Sequence, residues 1–272
     1  MYLPGVPSVI QRLEITECGI DELPSGLQFC VPSVIQHLEI TECGIDELPN
    51  GLQFCVPLVI RHCTSLQYLE IWRCPNLKSI PDLGEVFHSL INLKISKCRL
   101  KLLREGRLKT LVIGGLDAFP ILRYPSIKYS HASLKKLRLS GSPTLNSLPK
   151  EIRLFTALEE LCIKNFDGME ALPDWLGIPS SLQKLSLYDC EKLMCLPILH
   201  LTDIKHLHIA FCPNLEKRCA DGSSAEWGQI AHIPNIKING KYIQGGEDSD
   251  YSEDFDEFDD SEDEEFDDSE DD

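Results

Sequence analysis

The chain has 272 residues, with 26 Lys and Arg side chains against 43 Asp and Glu side chains and a formal charge of -17. Residues 247–272 hold 18 acidic residues and no basic one, so the first 246 residues carry a net charge of +1. This split excludes a uniformly acidic protein and separates a nearly neutral body from what we call the acidic tail, residues 247–272. The sequence contains neither a run of 18 apolar residues nor a basic and apolar secretory start, so we expect no membrane span and no leader.

The body is built from a sequence repeat. Residues 7–31 recur at 32–56 with 23 of 25 positions identical, and each copy contains LxxLxIxxC followed by a Leu-Pro pair. The same frame continues in ten units, which begin at Ile10, Ile35, Leu66, Leu90, Leu108, Leu134, Leu158, Leu182, Ile204 and Ile233. The mean step of about 25 residues lies within the range of leucine-rich repeats.

The spacing within each unit predicts the fold. The second and third apolar residues are two positions apart, as in a short strand with one buried face. We therefore predict an α/β leucine-rich-repeat solenoid, a curved parallel sheet with a mostly irregular or short-helical convex side. Segments 151–161 and 174–185 should cross the convex side as loops or single helical turns. The predicted divisions are a solenoid over 1–218, a terminal repeat and C-terminal cap over 219–246, and a disordered tail over 247–272.

The cysteines fit the repeat without oxidation. Half of the twelve occupy the same place in the frame, where a small group is buried against the turn: Cys18, Cys43, Cys74, Cys98, Cys190 and Cys212. Zinc-ligand residue types also gather near the end of the repeats, at Cys190, Cys195, Cys212, Cys219, His200, His206 and His208. Because Cys190 and Cys212 are expected to be buried while the histidines face outward, the pattern favours structural thiols and no metal site. Cys162 lies between two buried frame residues, and we predict that it faces outward and is the most reactive thiol.

The concave surface is the predicted binding surface. Its exposed strand positions are acidic in the first three units, at Glu14, Glu17, Glu39, Glu42 and Glu70, and become basic from the fourth unit onward. Aromatic and cationic side chains in that frame are typical of protein-binding sites, and the candidates are Tyr68, Trp72, Lys94, Lys97, Lys136, Arg138, Lys164, Tyr188, His206, His208 and Phe211. An ordinary solvated face is the alternative. We expect no nucleic-acid partner, because the body is nearly neutral and lacks a groove-reading motif.

The acidic tail contains EFDDSED twice, at 257–263 and 265–271. Dense like charge and low hydrophobicity predict disorder, and such a segment commonly serves only to keep a protein in solution. Alternating acidic and aromatic residues also occur in interaction segments, where Tyr251, Phe255, Phe258 and Phe266 would make the contacts. Since the charge of the tail opposes that of the basic concave positions, an intramolecular contact between them is a hypothesis.

Four longer sequence segments resemble those of a known protein family. These are CTSLQYLEIWRCPNLKSIP at 63–81, LPDWLGIPSSLQKLSLYDCEKLMCLP at 172–197, HLHIAFCPNLEKRC at 206–219 and the closing EWGQIAHIPNIKINGKYI at 226–243. Over roughly residues 7–243 the chain resembles the leucine-rich-repeat region of plant coiled-coil type nucleotide-binding, leucine-rich-repeat disease resistance proteins.

The resemblance implies a recognition module of innate immunity. Such a module binds pathogen effectors, guarded host proteins or the nucleotide-binding domain of its own family, and in an intact receptor it restrains the nucleotide-binding switch. Because catalytic motifs are missing and the leucine frame leaves no separate catalytic domain, we expect no enzyme activity, cofactor, metal or small-molecule substrate. The resemblance also implies a cytoplasmic location, with the nucleus as an alternative.

The chain departs from the complete family architecture. It has no phosphate-binding G-x-x-x-x-G-K-[ST] loop, since Gly240-Lys241 is followed by Tyr242, and it has no H-E-x-x-H, G-x-S-x-G or G-x-G-x-x-G motif. It also starts within the repeat frame, so we expect a piece of a longer protein. Two other interpretations stay open, the substrate-binding repeats of a ubiquitin-ligase adaptor and a non-functional resistance-gene fragment. The Leu-Pro endings argue against the adaptor.

Overall fold

A computed structural model describes residues 11–16, 36–41, 65–74, 89–97, 108–114, 131–142, 144–177, 181–196, 202–220 and 225–246. Within these residues, eleven strands form one sheet in chain order. The ten parallel strands are β1 (Arg12–Thr16), β2 (His37–Thr41), β3 (Tyr68–Trp72), β4 (Asn92–Ser96), β5 (Thr110–Gly114), β6 (Lys136–Ser140), β7 (Glu160–Lys164), β8 (Lys184–Tyr188), β9 (His206–Ala210) and β10 (Asn235–Ile238). One strand lies within each predicted frame and contains its second and third apolar residues, so the predicted leucine-rich-repeat solenoid is confirmed.

The strands stack in register, so equivalent residues of successive units lie side by side. Leu69 pairs with Leu38 on one side and with Leu93 on the other, and this pairing of second residues continues to Ile236. From β2 onward, the second and fourth residues of each parallel strand are buried. Because successive side chains of a strand point to opposite faces, the first and third residues lie mostly on the other side of the sheet. The third residues Val112 and Ser186 are exceptions and are buried as well.

A second apolar layer lies beneath the strands. The described residues that open the frames are all buried, namely Leu66, Leu90, Leu108, Leu134, Leu158, Leu182, Ile204 and Ile233. Two phenylalanines, Phe155 and Phe166, are the largest fully buried side chains. Each unit buries only part of its apolar surface alone, so contacts between neighbouring units hold the solenoid together.

The same turn follows five of the parallel strands, β3, β4, β7, β8 and β9. The residue after the strand has a left-handed backbone at Arg73, Lys97, Asn165, Asp189 and Phe211, with φ between 48° and 59°. Four of these N–H groups donate to the fifth residue of the next strand, as in the 3.1 Å bond from Arg73 to the carbonyl of Ser96. This turn directs the chain out of the sheet at the same point in successive units.

The buried cysteine of the frame follows this turn. The thiols of Cys74, Cys190 and Cys212 donate to the carbonyl two residues earlier, over 3.3, 3.2 and 3.4 Å. All three side chains are fully buried and none forms a disulfide. The predicted packing role is therefore confirmed for these three, whereas Cys18, Cys43 and Cys98 lie outside the described residues.

Short helices cross the convex side where the sequence predicts loops or single turns. Two 3-10 helices, Lys150–Leu154 and Asp174–Gly177, each follow a Leu-Pro pair. The proline carbonyl accepts the first hydrogen bond of the turn, from Ile152 to Pro149 over 3.2 Å and from Leu176 to Pro173 over 3.0 Å. The leucine of each pair is buried, so the pair anchors the start of the convex crossing. The final crossing is longer and contains α1 (Pro213–Ala220) and α2 (Ala225–Ile230).

An antiparallel strand follows the last repeat. β11 (Lys241–Gln244) pairs with β10 through a two-residue turn at Asn239 and Gly240, whose φ angles are 46° and 78°. An Asn-Gly pair favours such a hairpin because both residues tolerate positive φ. The Gln244 amide nitrogen donates to the carbonyls of Ala231 and Ile233, each over 2.9 Å, and ties β11 to the last repeat. The domain boundaries at 218 and 246 stay predictions, and the acidic tail lies outside the described residues.

No helix among the described residues has the length and apolar character needed to cross a membrane.

Candidate protein-interaction surface on the concave face

Within the described residues, the concave face is formed by the first and third residues of β1–β10, by the fifth residues of β2–β9 and by the residues that follow β3, β4, β7, β8 and β9. All eleven candidate binding residues lie on it, and the structure gives the position of each within the repeat. Tyr68, Lys136 and His206 are first residues, Lys94, Arg138 and His208 are third, Trp72, Lys164 and Tyr188 are fifth, and Lys97 and Phe211 follow their strands. Ten of them are half-buried, and only Phe211 is strongly exposed.

The glutamates predicted to make β1 and β2 acidic form ion pairs and hydrogen bonds with other side chains of the concave face. Arg12 binds Glu14 over 2.6 Å and reaches across to Glu39 over 2.9 Å. His37 also contacts the Glu39 carboxylate, and its ring stacks on the ring of Tyr68 with centroids 4.0 Å apart. These contacts reduce the negative potential that the glutamates alone would create, while Glu17 and Glu42 lie outside the described residues.

The negative charge of the third glutamate, Glu70, is balanced by Lys94, which is one of the candidate binding residues. The Glu70 carboxylate accepts a hydrogen bond from the Tyr68 hydroxyl over 2.5 Å and pairs with the Lys94 ammonium over 2.8 Å. Both partners of the ion pair are about 15% exposed. Beside them, the Arg73 guanidinium lies 4.8 Å from the centre of the Trp72 ring. Lys94 thus links β4 to β3, and Tyr68 links β3 to β2 through its stacking on His37, in addition to any binding role.

The second half of the face carries excess positive charge. Outward strand positions of β6–β10 hold Lys136, Arg138, Lys164, Lys184 and Lys237 against Glu160, and Asp189, which follows β8, is a second acidic residue that interacts with Lys164. Lys136 pairs with Glu160 over 3.1 Å. We define the basic patch as the other four cations together with His208, that is Arg138, Lys164, Lys184, His208 and Lys237.

The pKa values within the basic patch reflect burial and crowding of like charge. Burial, Lys184, Lys237 and His206 lower the pKa of His208 to about 4, so this imidazole is neutral at neutral pH. Burial lowers the pKa of Lys184, as do Lys136 and Arg138, while Glu160 opposes them. A group that brings negative charge to this surface would relieve the repulsion.

We predict that His208 makes the protein sensitive to acid. Its pKa is about 4 in the folded state against 6.5 ordinarily, so the unfolded chain binds more protons between these values. The free energy of unfolding should therefore fall as the pH drops from 6.5 towards 4, and it should fall less in His208→Gln. Urea unfolding across this range measures the difference, with His131→Gln, an exposed histidine, as the control. Equal pH dependence in wild type and His208→Gln would contradict the prediction.

Cys162 faces outward between Arg138 and Ser186, as the sequence predicts. The prediction that it is the most reactive thiol is wrong. Burial raises the pKa of Cys162 to about 11 even though Arg138, Lys184 and Lys164 act in the opposite direction. The nucleophile is the thiolate, which is scarce at neutral pH when the pKa is high. Cys195, by contrast, is an exposed thiol.

We expect iodoacetamide to modify Cys195 faster than Cys162 in the folded protein. The reason is the exposure of Cys195 combined with the burial and raised pKa of Cys162. Peptide mass spectrometry after short labelling times measures the order, and urea-unfolded protein provides the control in which the two rates converge. Faster labelling of Cys162 in the folded state would contradict this interpretation.

The described cysteines and histidines near the end of the repeats lie on several elements of the last units. Within the described part of the chain, no three side chains of metal-binding type are placed to hold an ion. The Cys190 and Cys212 thiols donate to backbone carbonyls, while Cys195 lies 3.5 Å from the Arg218 guanidinium. His200 lies outside the described residues.

Phe211 combines an exposed side chain with an unfavourable backbone. Its side chain is 69% exposed, and its φ of 55° is a conformation that bulky residues rarely adopt. The turn is held by a 3.0 Å hydrogen bond from its N–H to the Asn239 side-chain oxygen. A large apolar group kept at such a position points to a role outside stability.

Phe211→Gly should therefore raise the free energy of unfolding by about 1 kcal/mol, since glycine adopts positive φ without steric strain. Urea unfolding measures the change. Lys192→Gly is a suitable control, because Lys192 is exposed in a turn but has no positive φ, and this change should be destabilising. A loss of stability in Phe211→Gly would show that the phenyl ring contributes to folding.

The sequence identifies Lys184 as an exposed basic position of the concave surface without making it a candidate binding residue, and it does not single out Lys237. Lys184 is the first residue of β8, and Lys237 is the third residue of β10, where its ammonium lies 5.4 Å from the centre of the Tyr242 ring. The repeat frame identifies both as outward positions. Their membership of one surface depends on strand register, which becomes visible only when all units are aligned.

Comparisons with known proteins agree with this architecture. The family described as R13L1/DRL21 LRRs matches residues 150–212. The disease resistance protein RPP4 of Arabidopsis thaliana is 33% identical over 84 residues, which are 30% of this chain and 7% of that protein. The putative disease resistance protein RGA4 of Solanum bulbocastanum is 38% identical over 52 residues, 18% of this chain and 5% of that protein. Over these segments, the leucine-rich repeats of this chain are similar to those of plant disease resistance proteins, and the chain matches only a small part of the length of either relative.

Proposed function

We propose that this chain is a protein-recognition module of plant innate immunity and that it binds its partners through the concave face. The supporting observation is the in-register array, which places Arg138, Lys164, Tyr188 and Phe211 on one surface opposite the core. Amphipathic aromatic and cationic side chains are enriched at protein-binding sites. The proposed partners are pathogen effectors, guarded host proteins or the nucleotide-binding domain of a related receptor. In an intact receptor the module restrains the nucleotide-binding switch.

The role is one of binding, without catalysis, a cofactor or a small-molecule substrate. Leucine-rich repeats generally serve protein interaction, and relatives named as disease resistance proteins support that role here. The proposed location is the cytoplasm, with the nucleus as the alternative. The six described cysteines are free thiols, which suits a reducing compartment.

A charge-reversal comparison in plant leaves tests this proposal. Three affinity-tagged proteins are expressed and purified at equal amounts. They are the unchanged full chain, a concave variant with Arg138→Glu and Lys164→Glu, and a convex variant with Lys150→Glu and Arg153→Glu. The last pair makes the same charge change on the convex 3-10 helix. We expect a set of plant proteins to co-purify with the unchanged chain and with the convex variant. The amount of these proteins should be about tenfold lower with the concave variant, as expected when central contacts of an interface are lost. Equal recovery from both variants would reject the concave face as the binding surface.

A further inference from the structure

We propose that the acidic tail, residues 247–272, occupies the basic patch of the same chain. This inference adds an internal occupant to the proposed binding surface, and it rests on charge, connectivity and reach. Its consequence is that an external partner must displace the tail before it can use the second half of the concave face.

Charge complementarity is the first argument. The tail carries 18 acidic and no basic residues, and the basic patch is the most strongly charged part of the described concave face. The first half of the face is unsuitable for the tail, because it carries three described glutamates and its cations Arg12 and Lys94 are already paired with them. The tail should therefore select β6–β10 over β1–β4.

The electrostatic state of the patch supports the same pairing. Burial and the neighbouring cations Lys184 and Lys237 lower the pKa of His208, and burial, Lys136 and Arg138 lower that of Lys184. Both shifts show that additional positive charge is disfavoured there. Carboxylates placed over the patch would stabilise the protonated forms and raise both pKa values.

Connectivity places the tail beside the patch. The described chain ends at Gly246, directly after β11, and β11 pairs with β10, which carries Lys237. Between β11 and Arg138 on β6 lie five strand spacings, or about 24 Å in all. A flexible chain of the tail's length has a root-mean-square span of about 28 Å and a fully extended limit of about 86 Å. The tail can therefore cover the whole patch without any change in the solenoid.

Tethering favours the tail of the same molecule over that of another copy. A short flexible connection gives an effective concentration on the order of millimolar. At low micromolar protein, the tail of a second molecule is roughly a thousandfold more dilute. Tyr188 and the exposed Phe211 lie on or beside the patch and offer apolar contacts to the aromatic residues of the tail, Tyr251, Phe255, Phe258 and Phe266.

Zero-length carbodiimide crosslinking of the full chain tests the proposal. This reagent joins carboxylates to amines that are already in contact, and mass spectrometry identifies the peptides. At low micromolar protein, we expect tail carboxylates to crosslink to Lys164 and Lys184 within one molecule. The yield should be independent of dilution. It should fall about fivefold or more from 0.1 M to 1 M salt, as the screening length falls from about 10 Å to about 3 Å.

Two matched variants keep the acceptor lysines in place. Arg138→Glu with Lys237→Glu should reduce crosslinks to Lys164 and Lys184 about fivefold or more, by the same electrostatic argument. Lys150→Glu with Arg153→Glu on the convex side should leave them unchanged. Circular dichroism verifies that each variant is folded, and the salt series needs no variant at all.

Three results would overturn the proposal. The first is crosslinking to the convex or helical lysines Lys150 and Lys217 as often as to the patch. The second is crosslinking only between molecules, lost on dilution, which would assign the patch to a second copy. The third is an unchanged His208 pKa, measured by NMR, after deletion of residues 247–272, whereas we expect deletion to lower it. Each of these would leave the proposed function intact if the charge-reversal comparison in leaves still succeeded.

Discussion

Phe166→Ala is expected to lower the free energy of unfolding by about 3–5 kcal/mol, the range for loss of a buried aromatic side chain. Phe166 is fully buried after β7, at the point where the chain turns towards the convex side. The fit around its ring is tight, since a Cβ atom added at Gly141 would lie 2.7 Å from it. The structure cannot collapse easily around the missing ring, because the turn backbone on both sides is fixed by hydrogen bonds between units.

Urea unfolding followed by circular dichroism measures this change. Leu154→Ala is the matched control, because Leu154 lies on the convex surface with 42% exposure and its truncation should change stability by less than about 1 kcal/mol. If Phe166→Ala and Leu154→Ala had equal effects, the described packing between β6 and β7 would be wrong.

Lys94→Ala is expected to lower the free energy of unfolding by about 2 kcal/mol, because it leaves the carboxylate of Glu70 largely buried without its cation. The Tyr68 hydroxyl remains as a hydrogen-bond partner and keeps the loss below that of a fully orphaned charge. The sequence suggested Lys94 as a binding residue, and the structure gives it a structural task as well.

A double-mutant cycle with Glu70→Gln isolates the pair, and we expect a coupling energy of about 1 kcal/mol or more. The exposed pair Lys135 and Glu159, at 2.7 Å, is the control, since its side chains are 51% and 41% exposed. Exposed pairs contribute little, so its coupling should stay below about 0.5 kcal/mol. Equal coupling in the two cycles would show that Lys94 and Glu70 are as solvated as a surface pair.

The repeat frame predicts the sheet well because one physical rule applies to every unit. Leu137 and Leu139 must share a face to be buried, which requires an extended strand, and the next unit buries its own pair only by lying alongside. The same rule predicts the outward direction of Arg138 and Cys162. The buried thiols of Cys74 and Cys190 follow from their fixed distance after the strand.

This rule does not predict which side chains of different units form pairs. Glu39 meets Arg12, which is 27 positions away, and Glu70 meets Lys94 because β3 and β4 stack without a shift. When each unit is considered alone, the side chains of these residues are predicted to be exposed to solvent. The pairing of glutamates with cations at the acidic end and the crowding of the basic patch both arise from register.

Burial also changes the reactivity that residue type and direction alone would predict. Cys162 has the outward direction of a reactive thiol, but packing between the strands at its sides raises its pKa. The hairpin from β10 to β11 did have a sequence signal, the pair Asn239-Gly240, although the closing segment suggested only a cap.

Site-specific photo-crosslinking shows directly whether partners are held on the concave face. Benzoylphenylalanine replaces Tyr188 on the concave face or Leu154 on the convex side of the full chain, and each protein is irradiated in leaf extract. We predict that position 188 captures a defined partner that position 154 does not, and that this capture is lost in Arg138→Glu with Lys164→Glu. Capture of the same partner from position 154 and not from position 188 would contradict the account.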